Sequence, residues 1–208
     1  TDETRINKIL PIFKHLIEKK SKIIVISHIG RPKGVKTKKL SLEPICKCLE
    51  IMLQKKIELI KDNIYDLNKK NLSKKLDNQI LILENIRFYK EEEDNDNNFS
   101  KQLASLGDLF VNDAFSCSHR THASVNEITK FLPSYAGLQL ETEINALKKV
   151  TTEINTDELL SGIFEIGPKA LSSISLFMKS FISVATSFGP EPGGSAPLAA
   201  KKYNVAII

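Results

Sequence analysis

Arginine and histidine side chains follow three short apolar runs of the sequence, "KIIVIS", "QILILEN" and "DLFVNDAF": His28, Arg31, Arg87, His119, Arg120 and His122. Arginine suits the recognition of phosphate or carboxylate because its planar guanidinium fork forms paired hydrogen bonds. If the three runs are strands of one sheet, these side chains meet at one edge. Arg5, near the start of the first predicted helix, could join them. The pattern predicts a cationic site for a small molecule with several negative charges.

The elements around these residues alternate between helix and strand up to about position 140. Apolar residues at helical spacing predict helices over 3–20, 41–56, 96–107, 123–132 and 141–155. Uniformly apolar strands between helices favour a parallel, doubly wound, Rossmann-like α/β sheet of three layers. In such sheets ligands bind outside the carboxyl ends of the strands, where the arginines lie. After the last of these helices, a short and incomplete second α/β segment is expected.

Each of these residues also has a simpler explanation. A single arginine after a strand is usually solvated or paired with an acidic residue, for which Asp113 and Glu84 are available. His119 and His122 are spaced like a pair of metal ligands, but the sequence offers no third ligand, so no metal site is predicted. Three coincident placements after three strands nevertheless favour an anion site over three unrelated loops.

The composition fits an ordinary globular protein. The 208 residues are 41% hydrophobic and 26% charged, with a net charge of +5 and a pI of about 9.0. No apolar run is long enough to span a bilayer, and the opening "TDETRINKIL" resembles neither a signal peptide nor a start at Met. Lysines are spread along the chain, so neither a nucleic-acid nor a membrane partner is expected. Three cysteines form no disulfide framework, which favours a reducing compartment, the cytoplasm.

The motifs "SHIGRPKG", "LENIRFYKEEEDNDNNFSKQLASLGDLFVNDAF" and "SHRTHAS" together resemble the amino-terminal domain of phosphoglycerate kinase. "YAGLQLETEINAL" is similar to the passage of that family into its interdomain helix. The resemblance runs in order from "TDETRI" to about residue 150. It implies a phosphoglycerate-binding domain over 1–138, an interdomain helix over 139–156 and a remnant of the nucleotide-binding domain over 157–208.

This resemblance implies reversible phosphoryl transfer between ATP and 3-phosphoglycerate in glycolysis. It assigns residues of the substrate site, with Arg5 also stabilising the transferring phosphoryl group: Arg5, His28, Ile29, Gly30, Arg31, Arg87 and Arg120. The implied ligands are 3-phosphoglycerate or 1,3-bisphosphoglycerate and ATP or ADP with Mg²⁺, and the implied state is a monomer. Because this chemistry needs positioning and charge neutralisation, a set of arginines suits it.

The sequence departs from the family pattern in two places. The first strand of the family, with its Asp-x-Asn substrate motif, is expected before Thr1. The lysine-bearing "GGAK" motif and most of the nucleotide domain have no counterpart, and "EIGPK" carries Glu165 where the family has aspartate. The shortened chain is therefore expected to be either a phosphoglycerate kinase, inactive if the missing parts are indispensable, or a non-catalytic phosphoglycerate-binding fragment.

"FGPEPGGSAPLAAKKYNVA" admits two alignments within that family. It resembles either the ribose-binding "NGPxGxFE" segment or the "GGGDTxAA" loop, and "AAKKYNVA" favours the second. In that alignment Gly193 and Gly194 lie at a helix start whose backbone N–H groups hold a nucleotide phosphate. Ser195 then replaces the aspartate associated with the metal of the nucleotide, and without the resemblance the segment is a plain loop.

Overall fold

The computed structural model describes residues 4–75, 79–153 and 204–207. Its strands form one parallel sheet in the order β2-β3-β1-β6-β4-β5. The strands are β1 (Lys22–Val25), β2 (Lys56–Ile60), β3 (Gln79–Leu83), β4 (Leu109–Asn112), β5 (Ser134–Ala136) and β6 (Asn204–Ile207). The four strands predicted from "KIIVIS", "IELI", "QILILEN" and "DLFVNDAF" are confirmed as β1 to β4.

Helices cover both faces of this sheet. They are α1 (Thr4–Glu18), α2 (Glu43–Leu53), α3 (Lys69–Lys75), α4 (Lys90–Glu93), α5 (Asn97–Ala104) and α6 (Leu138–Glu153). No helix within the described ranges combines the length and the hydropathy that a membrane span requires.

Successive residues of the central strands point into two separate cores. Ile24 and Leu81 pack with residues of α3 and α5, whereas their neighbours Ile23 and Ile82 pack with residues of α1 and α2. A strand that is buried on both faces must be apolar at every position, which explains the unbroken runs "KIIVI" and "ILIL". The predicted three-layer, doubly wound α/β fold is therefore confirmed.

Several local predictions differ from the structure. Helix α3 is absent from the prediction because "KKNLSKK" has a single buried apolar residue, Leu72. The helix predicted over 123–132 is only a short 3-10 turn, Glu127–Lys130. The helix predicted over 41–56 begins later, with Leu42 as its N-cap, and the hydroxyl oxygen of Ser41 accepts a hydrogen bond from the backbone N–H of Glu43.

The central strand β6 comes from the far end of the described chain. It pairs in parallel with β1, with Val205 opposite Ile23, and with β4, with Val205 opposite Leu109. The sequence prediction assigns 157–208 to a remnant of the nucleotide-binding domain; in the structure, 204–207 form the strand between β1 and β4. A short apolar strand that pairs in parallel at both edges is suited to the middle of a parallel sheet. Gly193 and Gly194 lie outside the described residues.

Candidate functional site

Three loops leave the carboxyl ends of strands β1, β3 and β4 at one rim of the sheet. We call them the first rim loop (residues 26–34), the second rim loop (84–89) and the third rim loop (113–124). Strand β3 is next to β1, and β6 separates β1 from β4. The parallel sheet therefore delivers all three loops to the same side, as the sequence predicts.

Arg87, on the second rim loop, is a buried arginine with unused donors. The residue is 3% exposed, and its Nη1 donates to the carbonyl oxygen of Gly30 at 3.0 Å. Among the described residues, the buried Nε and Nη2 atoms have no hydrogen-bond partner, and Oε1 of Glu93 lies 3.8 Å from Nε. Burial first, and then the charge of Arg120, lower the pKa of Arg87. A buried guanidinium whose Nε and Nη2 atoms lack partners among the described residues favours the binding of an anionic ligand.

His28, on the first rim loop, lies close to the third. Its Nε2 is 3.9 Å from the Sγ atom of Cys117. Burial, then the charge of Arg87, and to a smaller extent that of Arg120, lower the pKa of His28 to about 4. The ring is therefore neutral at pH 7 and offers a ligand one donor and one acceptor. We call His28, Arg87 and Arg120 the cationic cluster, naming it for its two guanidinium groups.

The remaining predicted residues of the first rim loop lie beside this cluster. Ile29 and Arg31 are exposed, and Gly30 lies between them with φ +67°. Glycine is favoured here because residues with side chains rarely adopt this positive φ, and a Cβ atom would also approach the Cδ2 atom of Leu40 to 2.7 Å. Arg5 belongs to the first turn of α1, and its side chain lies outside the described part of the structure.

Asp113 and Glu84 bind the starts of helices and form no ion pair with the described arginine side chains. Oδ1 of Asp113 accepts hydrogen bonds from the backbone N–H groups of Gln139 at 2.7 Å and Leu140 at 3.1 Å, at the start of α6. Glu84 accepts from the hydroxyl of Ser41 at 2.7 Å and from the backbone N–H at the start of α2. Both carboxylates bind helix starts, so for Arg31, Arg87 and Arg120 the simpler ion-pair explanation with these two acids is wrong.

Two buried polar residues that the sequence prediction missed hold the rim loops. Asn85 is 0% exposed, and its Nδ2 donates to the carbonyl oxygens of Ile29 at 2.8 Å and Leu40 at 2.9 Å. Glu92, in α4, is 1% exposed and binds Ser124 of the third rim loop. Asn85 follows a strand by two residues, which was a usable signal. Nothing in "EEE" shows which glutamate is buried.

The described residues contain no group of three or more histidine, cysteine, aspartate or glutamate side chains able to hold a metal ion. His119 is exposed, and Nδ1 of His122 lies 3.6 Å from Oε1 of Glu92. Of these two histidines, His122 therefore lies beside a carboxylate of the protein. The chemistry of the rim is that of hydrogen-bond donors and positive charge.

Replacing His28 with glutamine is expected to make the fold less sensitive to acid. The folded-state pKa of His28 is about 4, below the ordinary 6.5, so the unfolded chain takes up the proton first. The stability that this confers is complete above pH 6.5 and is lost as pH falls towards 4. Between pH 7 and pH 5, His28→Gln should lose about 1 kcal/mol less stability than the wild type, since solvent screens the exposed part of the ring.

Urea unfolding followed by circular dichroism at the two pH values measures this difference. His15→Gln is the matched control because His15 is exposed on α1. Equal acid sensitivity of His28→Gln and His15→Gln would contradict the expectation.

The sequence matches the family model described as phosphoglycerate kinase over residues 1–160. A phosphoglycerate kinase of Wolbachia sp. subsp. Brugia malayi (strain TRS) is 48% identical over 151 residues, which cover 73% of this chain and 38% of that protein. The protein named "Phosphoglycerate kinase, cytosolic" of Triticum aestivum is 48% identical over 148 residues, which cover 71% of this chain and 37% of that protein.

The fold is also similar to solved structures. Phosphoglycerate kinase from Coxiella burnetii matches with a TM-score of 0.64 and 34% identity, over 72% of this chain and 37% of that one. The chain thus spans less than two fifths of the length of the relatives it matches. Because the family model covers most of the 208 residues, this chain belongs to the phosphoglycerate kinase family.

Proposed function

We propose that this chain supplies the 3-phosphoglycerate-binding part of a phosphoglycerate kinase, which transfers a phosphoryl group reversibly between ATP and 3-phosphoglycerate in glycolysis. The observation that carries the proposal is Arg87, which is buried, lies between two loops that bear further cationic residues, and has two nitrogens without a hydrogen-bond partner in the described part of the chain. A polyanion satisfies these donors and offsets the repulsion between the like charges of Arg87 and Arg120.

In this proposal the arginines hold the phosphate of the substrate. Arg87 binds it from the second rim loop, Arg120 from the third and Arg31 from the exposed first rim loop. Neutral His28 and the backbone of Ile29 and Gly30 orient the glycerate part by hydrogen bonds. Positioning and charge neutralisation of this kind are what phosphoryl transfer requires of a protein.

The nucleotide part of the reaction rests on the family alone. Family membership implies a nucleotide substrate with Mg²⁺, and we propose ATP and ADP. Gly193 and Gly194 are the proposed phosphate contacts, and Arg5 is the proposed catalytic residue that stabilises the transferring phosphoryl group. Magnesium would supply charge neutralisation at the nucleotide phosphates, whereas the residues of the cationic cluster act on the phosphoglycerate.

We also propose the domain limits and the setting. Residues 1–138 together with β6 form the phosphoglycerate-binding domain, 139–156 form the interdomain helix, and the rest of 157–208 belongs to the nucleotide side. The name of the Triticum aestivum relative supports a cytoplasmic location. A monomer with small-molecule substrates, without nucleic-acid or membrane partners, completes the proposal.

Calorimetric titration of the full chain with 3-phosphoglycerate tests the binding function. Saturable binding is expected in the wild type, and Arg120→Ala should weaken it about 10- to 100-fold because a charge-assisted hydrogen bond is lost. Lys130→Ala is the control, since Lys130 pairs with Glu127 away from the cationic cluster. Equal affinities of the two variants would overturn the assignment of Arg120.

A coupled assay of ADP formation from ATP and 3-phosphoglycerate tests the kinase activity. Turnover that depends on both substrates is the result expected if the residues that bind the nucleotide are present in the 208-residue chain. Binding of 3-phosphoglycerate without turnover at high protein concentration would identify the chain as a non-catalytic binding fragment, the alternative that the family match does not favour.

A further inference from the structure

Glu92 is a buried acid at the edge of a cationic site. It lies at 1% exposure in α4, shortly after Arg87 in the chain, and its charge acts on both His28 and Arg87. An ionised carboxylate loses several kcal/mol of hydration when it is buried, so its place must be stabilised by close partners. Among the described residues, the partners of the Glu92 side chain belong to the third rim loop.

Glu92 binds three consecutive residues of that loop. Its carboxylate accepts hydrogen bonds from the backbone N–H of Ser124 at 2.9 Å and from the hydroxyl of Ser124 at 2.6 Å. Its backbone carbonyl accepts from the N–H of Ala123 at 2.9 Å, and its Oε1 lies 3.6 Å from Nδ1 of His122. These contacts fix the chain directly after Arg120.

The same short segment also holds the first rim loop. Nη1 of Arg87 donates to Gly30, the backbone carbonyl of Arg87 accepts from the N–H of Gly34 at 3.3 Å, and Asn85 donates to Ile29. Residues 85–92 therefore contact both of the other rim loops. Asn85 and Arg87 bind the first rim loop, and Glu92 binds the third.

We propose that Glu92 is a positioning residue for anion binding, holding residues 122–124 so that Arg120 stands opposite Arg87. Glu92 does not contact the ligand in this proposal, which rests on the proposed binding of 3-phosphoglycerate. An arginine on a loose loop loses its conformational freedom at each binding event, whereas a loop fixed by a buried carboxylate is already ordered by folding.

The test is a set of calorimetric titrations of the full chain with 3-phosphoglycerate. Glu92→Ala is expected to weaken binding about 10-fold or more, because it removes both side-chain hydrogen bonds to Ser124. Glu92→Gln keeps an oxygen acceptor for the N–H of Ser124 and should recover most of the affinity. Glu91→Gln is the matched control, since it removes the same charge from the neighbouring position of α4.

Double variants separate positioning from a general loss of structure. If Glu92 acts through Arg120, then Glu92→Ala should cost less than about 3-fold when Arg120 is already alanine. Its effect should be undiminished beside Arg31→Ala, which lies on a different loop. Equal costs in both backgrounds, or affinity of Glu92→Ala within about twofold of the wild type, would overturn the proposal.

Two further outcomes have distinct meanings. If Glu92→Ala does not fold, Ser124→Ala replaces it, and this variant should weaken binding about 3-fold while leaving the backbone N–H contact. Wild-type affinity in Ser124→Ala would then contradict the proposal. If the wild type itself does not bind 3-phosphoglycerate, the proposed function fails, whereas failure of the Glu92 series alone leaves it standing.

Discussion

Replacing Arg87 with methionine is expected to abolish binding of 3-phosphoglycerate and at the same time to stabilise the fold. The affinity should fall by about 100-fold or more, because the ligand loses a buried guanidinium that would form several charge-assisted hydrogen bonds with it. The free energy of unfolding should rise by about 1 kcal/mol, since an apolar side chain of similar length replaces a buried guanidinium.

The opposite signs follow from the surroundings of Arg87. In the part of the chain that the structure describes, Nη1 has one carbonyl partner, whereas Nε and Nη2 are buried without a hydrogen bond. Burial and the charge of Arg120 both lower its pKa, so the charged form is disfavoured by the fold. Such a group costs stability until a ligand satisfies it, which is the usual trade between stability and function.

Urea unfolding and calorimetry on the same preparations measure both effects. Lys70→Met is the control, because Lys70 is an exposed residue of α3 and its replacement changes net charge equally. Arg87→Lys keeps the charge without the fork and should bind with intermediate affinity. A methionine variant that is less stable than the wild type and still binds would show that Arg87 is a structural residue.

The positions of the cationic residues were predictable because they follow from chain direction alone. His28, Arg87 and Arg120 each come after an apolar run, and the carboxyl ends of parallel strands share one rim. The three layers were also predictable, because strands that are apolar at every position must be buried on both faces of the sheet. These predictions need no knowledge of which side chains touch.

Other features depended on contacts that no local pattern reports. Asp113 follows β4 and is a plausible partner for an arginine, yet it is the cap of α6 because Gly137 brings the chain back against it, where a Cβ atom would clash with the carboxylate. Similarly, Glu91, Glu92 and Glu93 are equivalent in sequence, and only the packing of α4 against the third rim loop selects Glu92 for burial.

The position of β6 departs furthest from the sequence prediction. A strand in the middle of a parallel sheet can come from any part of the chain that reaches it in the correct direction. The four residues "NVAI" are too few for their pattern to indicate which strands pair with them. Its register against β1 and β4 is a property of the whole sheet, and it makes residues 204–207 part of the phosphoglycerate-binding domain that we propose.

Val205→Pro should therefore destabilise the sheet that carries all three rim loops. Val205 lies opposite Ile23 on one side and Leu109 on the other, so β6 has a hydrogen-bonded neighbour at each edge. Proline removes a backbone donor and is tolerated in sheets mainly at edge strands, so the loss of unfolding free energy should be about 3 kcal/mol or more. Urea unfolding followed by circular dichroism measures it.

Val205→Thr is the matched control, because threonine keeps the N–H group and a β-branched side chain at the same position. It should cost much less stability than proline and preserve binding of 3-phosphoglycerate. In Val205→Pro, binding should weaken as well, since β6 separates β1, which leads to His28, from β4, which leads to Arg120. Equal stability of the two variants would mean that 204–207 is not the central strand, and the anion site would then have to be assembled without it.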